Sequence, residues 1–258
     1  MAASKGCGGC QDGAQIFPFT MAFQPIVDVT ERRIVGHEAL VRGCDGEGAA
    51  AVFAQVNAGN VYPFDQACRV KAIDLASRLG IKGGLSINFL PRAVYEPRAC
   101  IRLTLEAAAR TGLPLDRLTF EFVEHEEISD SAHLLGIVKE YRNHGFKIAL
   151  DDFGTGYSGL ARLVDLMPDS IKLDRALLRD CDQNPKRLAV VAGIISLTAQ
   201  IGVAVVGEGI EREGEFRALQ SVGLRFMQGY YFAKPKFEAL VTDREIAWPG
   251  EADPMRGV

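Results

Sequence analysis

No apolar run in the chain reaches the length of a membrane span, and the opening residues, MAASKGCGGCQDG, lack the apolar core of a signal peptide. These two absences point to the cytoplasm. The four histidines, His37, His125, His133 and His144, form no H-E-x-x-H or similar pair, which argues against a histidine-bound zinc centre. No Ser-His-Asp or Cys-His arrangement suggests a covalent hydrolase. An excess of positive charge is missing too: 29 Lys and Arg face 33 Asp and Glu, so the chain offers no general attraction to a polyanion, and no nucleic-acid duplex is expected as a partner. The six cysteines are scattered through a chain expected to be reduced, which disfavours a disulfide framework. Only Cys7-Gly-Gly-Cys10 has a spacing that invites metal or redox chemistry. A structural metal knuckle would need a second C-x-x-C pair, which is absent, or a contribution from Cys44 or Cys68.

What is present is bulk and rhythm. With 48% hydrophobic and 24% charged residues over 258 positions, the chain can bury a large core. Short β-prone runs fall near 19–28, 33–42, 84–90, 118–124, 147–153, 170–175, 203–210 and 225–232. Helical patterns near 64–80, 92–112, 127–144, 157–166, 185–201 and 211–222 separate most of them. This alternation predicts an α/β fold, a single TIM-like (β/α)8 barrel. The first two runs depart from it. Only Thr30-Glu31-Arg32-Arg33 joins them, too short for a parallel crossover, so one antiparallel strand is expected near the N-terminus. The barrel is expected over 19–248, after a Cys- and Gly-containing leader at 1–18 and before a tail at 249–258.

Side chains alternate faces along a strand, so the runs can be compared in phase. In 84–90, Leu85, Ile87 and Phe89 oppose Ser86 and Asn88; in 118–124, Leu118, Phe120 and Phe122 oppose Thr119 and Glu121. Ile148 and Leu150 oppose Ala149 and Asp151, and Ile171 and Leu173 oppose Ser170 and Lys172. The large apolar face belongs under the helices. The late polar residue of each strand belongs inside, at the C-terminal rim where such barrels place their active sites. Glu38, Asn88, Glu121, Asp151, Lys172, Glu208 and Gln228 are therefore expected to meet. Each alone reads equally well as a solvated strand end; seven in register do not. Carboxylates in that number, with Asp152 and Glu124 close by, cannot all stay ionised together without bound cations. Oxygen donors without thiolate or imidazole favour Mg²⁺ or Mn²⁺, and suffice for two ions about 3.5–4 Å apart.

The stretch IALDDFGTGYSGL, 148–160, offers a competing reading. Gly154, Gly156 and Gly159 spell G-x-G-x-x-G after a strand, and Asp174 lies 20 residues beyond Gly154, the dinucleotide-binding spacing. An unneutralised Asp151-Asp152 pair just before the phosphate turn would repel a pyrophosphate, however, so the glycines are better read as serving the carboxylates. They would let the chain turn so that both aspartates face the cleft.

The ordered motifs FQPIVD (23–28), EALVR (38–42), the Asn of SINF, EFVE (121–124), DDFGTGYS (151–158), IKLD (171–174), GEGIE (207–211) and QGYYFAKP (228–235) resemble the EAL-domain family of cyclic di-GMP phosphodiesterases. The resemblance runs from about Phe19 to Phe237. It implies a cyclic-guanylate-specific phosphodiesterase that cuts cyclic di-GMP to linear pGpG using two Mg²⁺ or Mn²⁺ ions, with Ca²⁺ inhibitory because its looser shell misplaces the nucleophile. Carried over by position, Glu38, Asn88, Glu121 and Asp151 resemble ligands of the first cation, and Asp151, Asp152 and Glu208 those of the second. Lys172 resembles the lysine that positions and activates the attacking water, and Gln228 a residue that orders water or substrate. Gln24 and Arg42 match substrate contacts; Asp174 is grouped with them in a supporting role, as is Glu211. Glu124 resembles the glutamate that anchors the DDFGTGYS loop.

Departures from the family pattern matter as well. After EALVR the family usually continues with an aromatic residue, a proline-containing loop and an F-I-x-x-A-E helix, whereas residues 43–69 here are shorter and poor in those features, so their substrate contacts do not transfer. His125 stands where a serine often follows. No sensor, receiver or GGDEF domain is expected beside the barrel, which leaves regulation to a homodimer, to the Cys-bearing leader or to a regulatory protein partner. Two functions are carried forward: an active phosphodiesterase, and a catalytically silent cyclic di-GMP receptor or partner-binding protein of the same fold.

Overall fold

The structure is a computed structural model, and it describes residues 16–123, 131–156, 159–246 and 248. The strands are β1 (Thr20–Asp28), β2 (Arg33–Arg42), β3 (Gly84–Asn88), β4 (Leu118–Val123), β5 (Lys147–Phe153), β6 (Ser170–Leu173), β7 (Ala204–Gly207), β8 (Phe226–Met227) and β9 (Lys236–Phe237). The helices are α1 (Ala49–Phe53), α2 (Val61–Arg78), α3 (Pro97–Cys100), α4 (Arg102–Thr111), α5 (Ser131–Asn143), α6 (Gly159–Leu166), α7 (Arg175–Leu178), α8 (Pro185–Gln200) and α9 (Glu213–Ser221). Strands β2 to β8 pair in parallel and in chain order, and β1 closes the ring by pairing antiparallel with both β2 and β8. The expected barrel with one antiparallel strand is thus the observed fold. The short β9 flanks β1 on its outer side at Ala22 and Phe23.

The period-two pattern decides which way each strand faces. Leu85, Leu118, Phe120, Ile148, Leu150, Ile171 and Leu173 are all fully buried, on the face covered by helices. Phe120 sits in the centre of a ring cluster with Phe89, Tyr141 and Phe146 at centroid separations of 5.0–5.8 Å. A single helix over 92–112 does not form. Pro91 opens a 3₁₀ turn and Pro97 starts α3, because a proline fits the first helical position but has no N–H for a helix interior. The short α1 and α7 carry too few residues to show a period and were not expected from the sequence. Among the described residues, no helix is long and apolar enough to cross a membrane.

Cys7, Cys10, Glu124, His125, Tyr157 and Ser158 lie outside the described residues. Cys44, Cys68, Cys100 and Cys181 are free thiols.

Candidate active site

The barrel brings the late strand residues to one place. Gln24 of β1 pairs directly with Glu38 of β2, and Asn88 of β3 with Glu121 of β4, so the ladder itself sets neighbours beside neighbours. Asn88 Nδ2 donates to Glu38 Oε1 at 2.8 Å, and Gln228 Nε2 donates to Glu38 Oε2 at 2.8 Å and to Gln24 Oε1 at 3.2 Å. Gln24 in turn donates to the Ala233 carbonyl. At the centre stands Lys172, 1% exposed, whose Nζ lies 2.6 Å from Glu208, 2.7 Å from Glu121 and 3.3 Å from both Glu38 and Asp151.

The two adjacent aspartates turn the chain where β5 ends. Asp152 adopts φ 54° and Gly154 φ 99°, and the β5–β6 register shifts between Leu150 and Phe153. A non-glycine residue in the left-handed region is strained, and aspartate is among those that tolerate it best. The backbone N–H of Asp152 donates to Asp151 Oδ1 at 2.9 Å. The turn therefore falls on Asp152 itself as well as on the glycine after it. Carboxylate oxygens of Glu38, Glu121 and Asp151 come within 4.8 Å of one another, as do those of Asp151, Asp152 and Glu208. Asp151 belongs to both groups.

One ammonium cannot balance four carboxylates. Burial would raise the Glu38 carboxyl, but the Lys172 charge and the amide donors Gln228 and Asn88 hold it below its usual value. Glu121 receives less help: burial, only partly offset by Lys172 and reinforced by Glu38 and Asp151, pushes it up to about 8. Glu208 is likewise raised well above the carboxylate range by burial, with Asp151 and Glu38 adding to the effect against Lys172. Burial opposes the charge of Lys172, and the surrounding carboxylates more than restore it, so the amine is held protonated. This donor set is short of positive charge and composed of oxygen. It fits hard divalent cations.

A cleft of about 310 Å³ opens above these residues, lined by Gln24, Glu38, Asp151, Glu208 and Gln228, and also by Arg175, Glu211 and Tyr230. Sequence reasoning missed Arg175 and Tyr230. Their only signal was position: Arg175 directly follows IKLD, and Tyr230 stands two residues after Gln228. Arg175 Nη2 pairs with Glu211 Oε2 at 2.6 Å and Nη1 donates to the Gly209 carbonyl, which joins Glu211 to the cleft wall. Asp174 is not among the residues lining this cleft; its carboxylate accepts from Ala176 N at 2.7 Å and caps α7. Arg42 ends β2 with Nη1 on the Val41 carbonyl at 2.7 Å, outside the residues lining this cleft.

The sequence profile of the EAL domain matches residues 15–235. The chain belongs to the EAL domain family. Among solved structures, a standalone EAL protein from Vibrio cholerae bound to c-di-GMP is 47% identical, covers 89% of this chain and 97% of its own, and superposes with a TM-score of 0.86. BlrP1 of Klebsiella pneumoniae in its manganese and cyclic di-GMP complex is 34% identical with a TM-score of 0.82, over 88% of this EAL chain and 59% of that one. The blue light- and temperature-regulated antirepressor BluF of Escherichia coli is 32% identical over 88% of this chain, and a cyclic di-GMP phosphodiesterase of Pseudomonas aeruginosa is 32% identical over 87%. The chain spans 56% of the length of BluF and 40% of that phosphodiesterase. BlrP1 is a manganese complex, and the two carboxylate groups of this EAL domain are placed so that they could hold divalent cations.

Proposed function

We propose that this EAL domain hydrolyses one phosphodiester bond of cyclic di-GMP to give linear pGpG, using two Mg²⁺ or Mn²⁺ ions. The observation that carries the reading is the pair of carboxylate groups sharing Asp151, with Lys172 between them. Glu38, Asn88, Glu121 and Asp151 would hold one cation, and Asp151, Asp152 and Glu208 the other. When bound, such cations supply Lewis-acid charge to the phosphate and a water that ionises near neutral pH. Lys172 holds its proton and presents N–H donors where negative charge builds on the phosphate, or to the incoming water. Asn88 and Gln228 donate to the two oxygens of the Glu38 carboxylate and so fix it, and Gln24 accepts from the same Gln228 amide. Asp174 and Arg42 remain assigned to substrate support; the first would act through α7, whose start it caps, and the second from the β2 rim.

Incubating the purified protein with cyclic di-GMP and Mn²⁺ or Mg²⁺, followed by nucleotide chromatography, should show pGpG, no product in excess chelator, and inhibition by Ca²⁺. Asp151→Ala, which takes a donor from both groups at once, should abolish turnover. Product formation in excess chelator would overturn the reading.

The name of BluF supports a second possibility, a protein that acts by contacting a partner. Binding of cyclic di-GMP in the same assay without pGpG would favour it. On either reading a homodimer is proposed through α6, where Leu160 and Val164, one turn apart, are 60% and 68% exposed, with Met167 just past the helix end 44% exposed; sedimentation of the protein tests it.

A further inference from the structure

A second group of buried charge lies on the other side of the barrel wall, between β3, β4 and the helices. Arg69 of α2 is fully buried and Asp65, one turn before it, is 3% exposed. Arg69 Nη2 lies 2.6 Å from Asp65 Oδ2 and Nη1 donates to the Tyr141 hydroxyl of α5 at 2.5 Å. The guanidinium carbon stands 5.2–5.6 Å from the ring centroids of Phe89, Phe120 and Tyr141. The other oxygen of Asp65, Oδ1, accepts the backbone N–H of Leu90 at 2.9 Å. Leu90 is two residues beyond Asn88, and between them Phe89 N donates to the Glu121 carbonyl at 2.9 Å.

Two facts make this arrangement more than packing. An ion pair buried in a core contributes little net stability compared with apolar residues of the same size, so stability alone does not account for it. An apolar cavity of about 330 Å³ also lies against Asn88, Phe89 and Leu90 on the side where Asp65 stands. Packing on that side therefore does not fix the strand end. There a hydrogen bond to a carboxylate adds to the β3–β4 pairing and to the ring contacts of Phe89 on the other side, and that carboxylate is itself held by a guanidinium clamped between rings.

We propose that Asp65 and Arg69 are positioning residues for the cation site: they tether the Phe89–Leu90 backbone and so set the carboxamide of Asn88 beside Glu38. This rests on the phosphodiesterase reading given above. Neither side chain touches a cation; each acts through the strand end that carries a ligand. Outer groups of this kind tune metal affinity because they restrict where the ligand can point.

The test is Mn²⁺ binding to the whole chain, without nucleotide, by calorimetry, with the Asp65→Asn/Arg69→Met double variant. Both charges are removed together so that neither is left buried alone. Mn²⁺ affinity should fall by about 10–100-fold, the usual effect of losing an outer-shell partner, while the melting transition stays cooperative and turnover at saturating Mn²⁺ is largely kept. A purely structural role would lower the melting temperature and leave the Mn²⁺ affinity of the folded protein unchanged; that result would overturn the proposal. So would unchanged Mn²⁺ affinity with weakened cyclic di-GMP binding in Ca²⁺, which would make Asp65 a nucleotide contact. If the double variant does not fold, Tyr141→Phe decides. It removes one hydrogen bond to Arg69 and should weaken Mn²⁺ binding by about fivefold, and no change would count against the tether. A wild-type protein that binds no Mn²⁺ at all overturns the phosphodiesterase reading and this inference with it, whereas wild-type binding with unaltered variants overturns only the inference.

Discussion

Inside the barrel, Lys172 faces Glu38, Glu121, Asp151 and Glu208; outside it, Arg69 faces Asp65 alone. Both clusters centre on a fully buried cation. They differ in balance. The outer pair neutralises itself and spends its remaining contacts on a backbone N–H, a hydroxyl and aromatic faces. Burial raises the carboxyls of both clusters, Asp65 among them, but in the inner one neighbouring carboxylates add to the rise at Glu121 and Glu208, whereas the only charge Asp65 meets is the opposing Arg69. A balanced buried pair suits holding a neighbour still. An unbalanced one suits receiving positive charge from outside.

The comparison can be tested hardest by unbalancing the outer cluster. Arg69→Met alone should destabilise the fold by about 3–5 kcal/mol, because it strands the Asp65 carboxylate, and the double variant should recover most of that loss. Denaturant unfolding of the two proteins measures it. Equal stability of single and double variants would mean that Asp65 does not need its partner. The inner cluster should respond in chemistry instead. Lys172→Ala should lower kcat in Mn²⁺ by about a hundredfold, roughly 2.7 kcal/mol, the scale of one preorganised donor, while calorimetric affinity for cyclic di-GMP in Ca²⁺ changes little. A variant that cuts normally but binds poorly would make Lys172 a substrate contact.

The smallest effect is one of pH. A carboxyl whose folded pKa is raised stabilises the fold fully below its unfolded value, near 4.5, and that contribution is lost as the pH rises through its folded value, about 8 for Glu121. Melting temperature without metal should therefore decline by a few degrees between about pH 4.5 and 8, and saturating Mn²⁺ should flatten the decline. Identical slopes with and without Mn²⁺ would separate Glu121 from the cation site.

The inner cluster was legible in the sequence because a strand writes its faces at a period of two. Once Phe120 and Phe122 are assigned outward, Glu121 has to point inward, and the same rule places Lys172 and Asp151. The outer cluster was not legible. Asp65 and Arg69 fall at the i, i+4 spacing that exposed helix pairs share, so nothing in the sequence marks them as interior; the packing of Phe89, Phe120 and Tyr141 around the guanidinium does. Asp174 carries a second role that its motif does not announce. Its motif places it among substrate positions, and a helix of four residues that starts at the next position also uses its carboxylate as a cap. The turn at Asp152 was half visible: the glycines promised flexibility, but an aspartate holding φ 54° is a tertiary outcome that no residue type announces.

The barrel is closed by its shortest stave. Strand β8 has two residues, and it meets β1 only through Val27 with Met227 and Asp28 with Phe226. Side chains bolt the joint at either end: Arg225 pairs with Asp28 at one, and Gln228 reaches across to Gln24 and Glu38 at the other. Glu38 is thus part of the closure as well as part of the site. On the phosphodiesterase reading, a descendant that lost turnover would keep a use for Glu38 and Gln228 in the closure, whereas Asp151 and Glu208 stand away from that joint and serve the site around Lys172. Survival of the glutamate says little about whether such a protein works; the aspartate is the better witness.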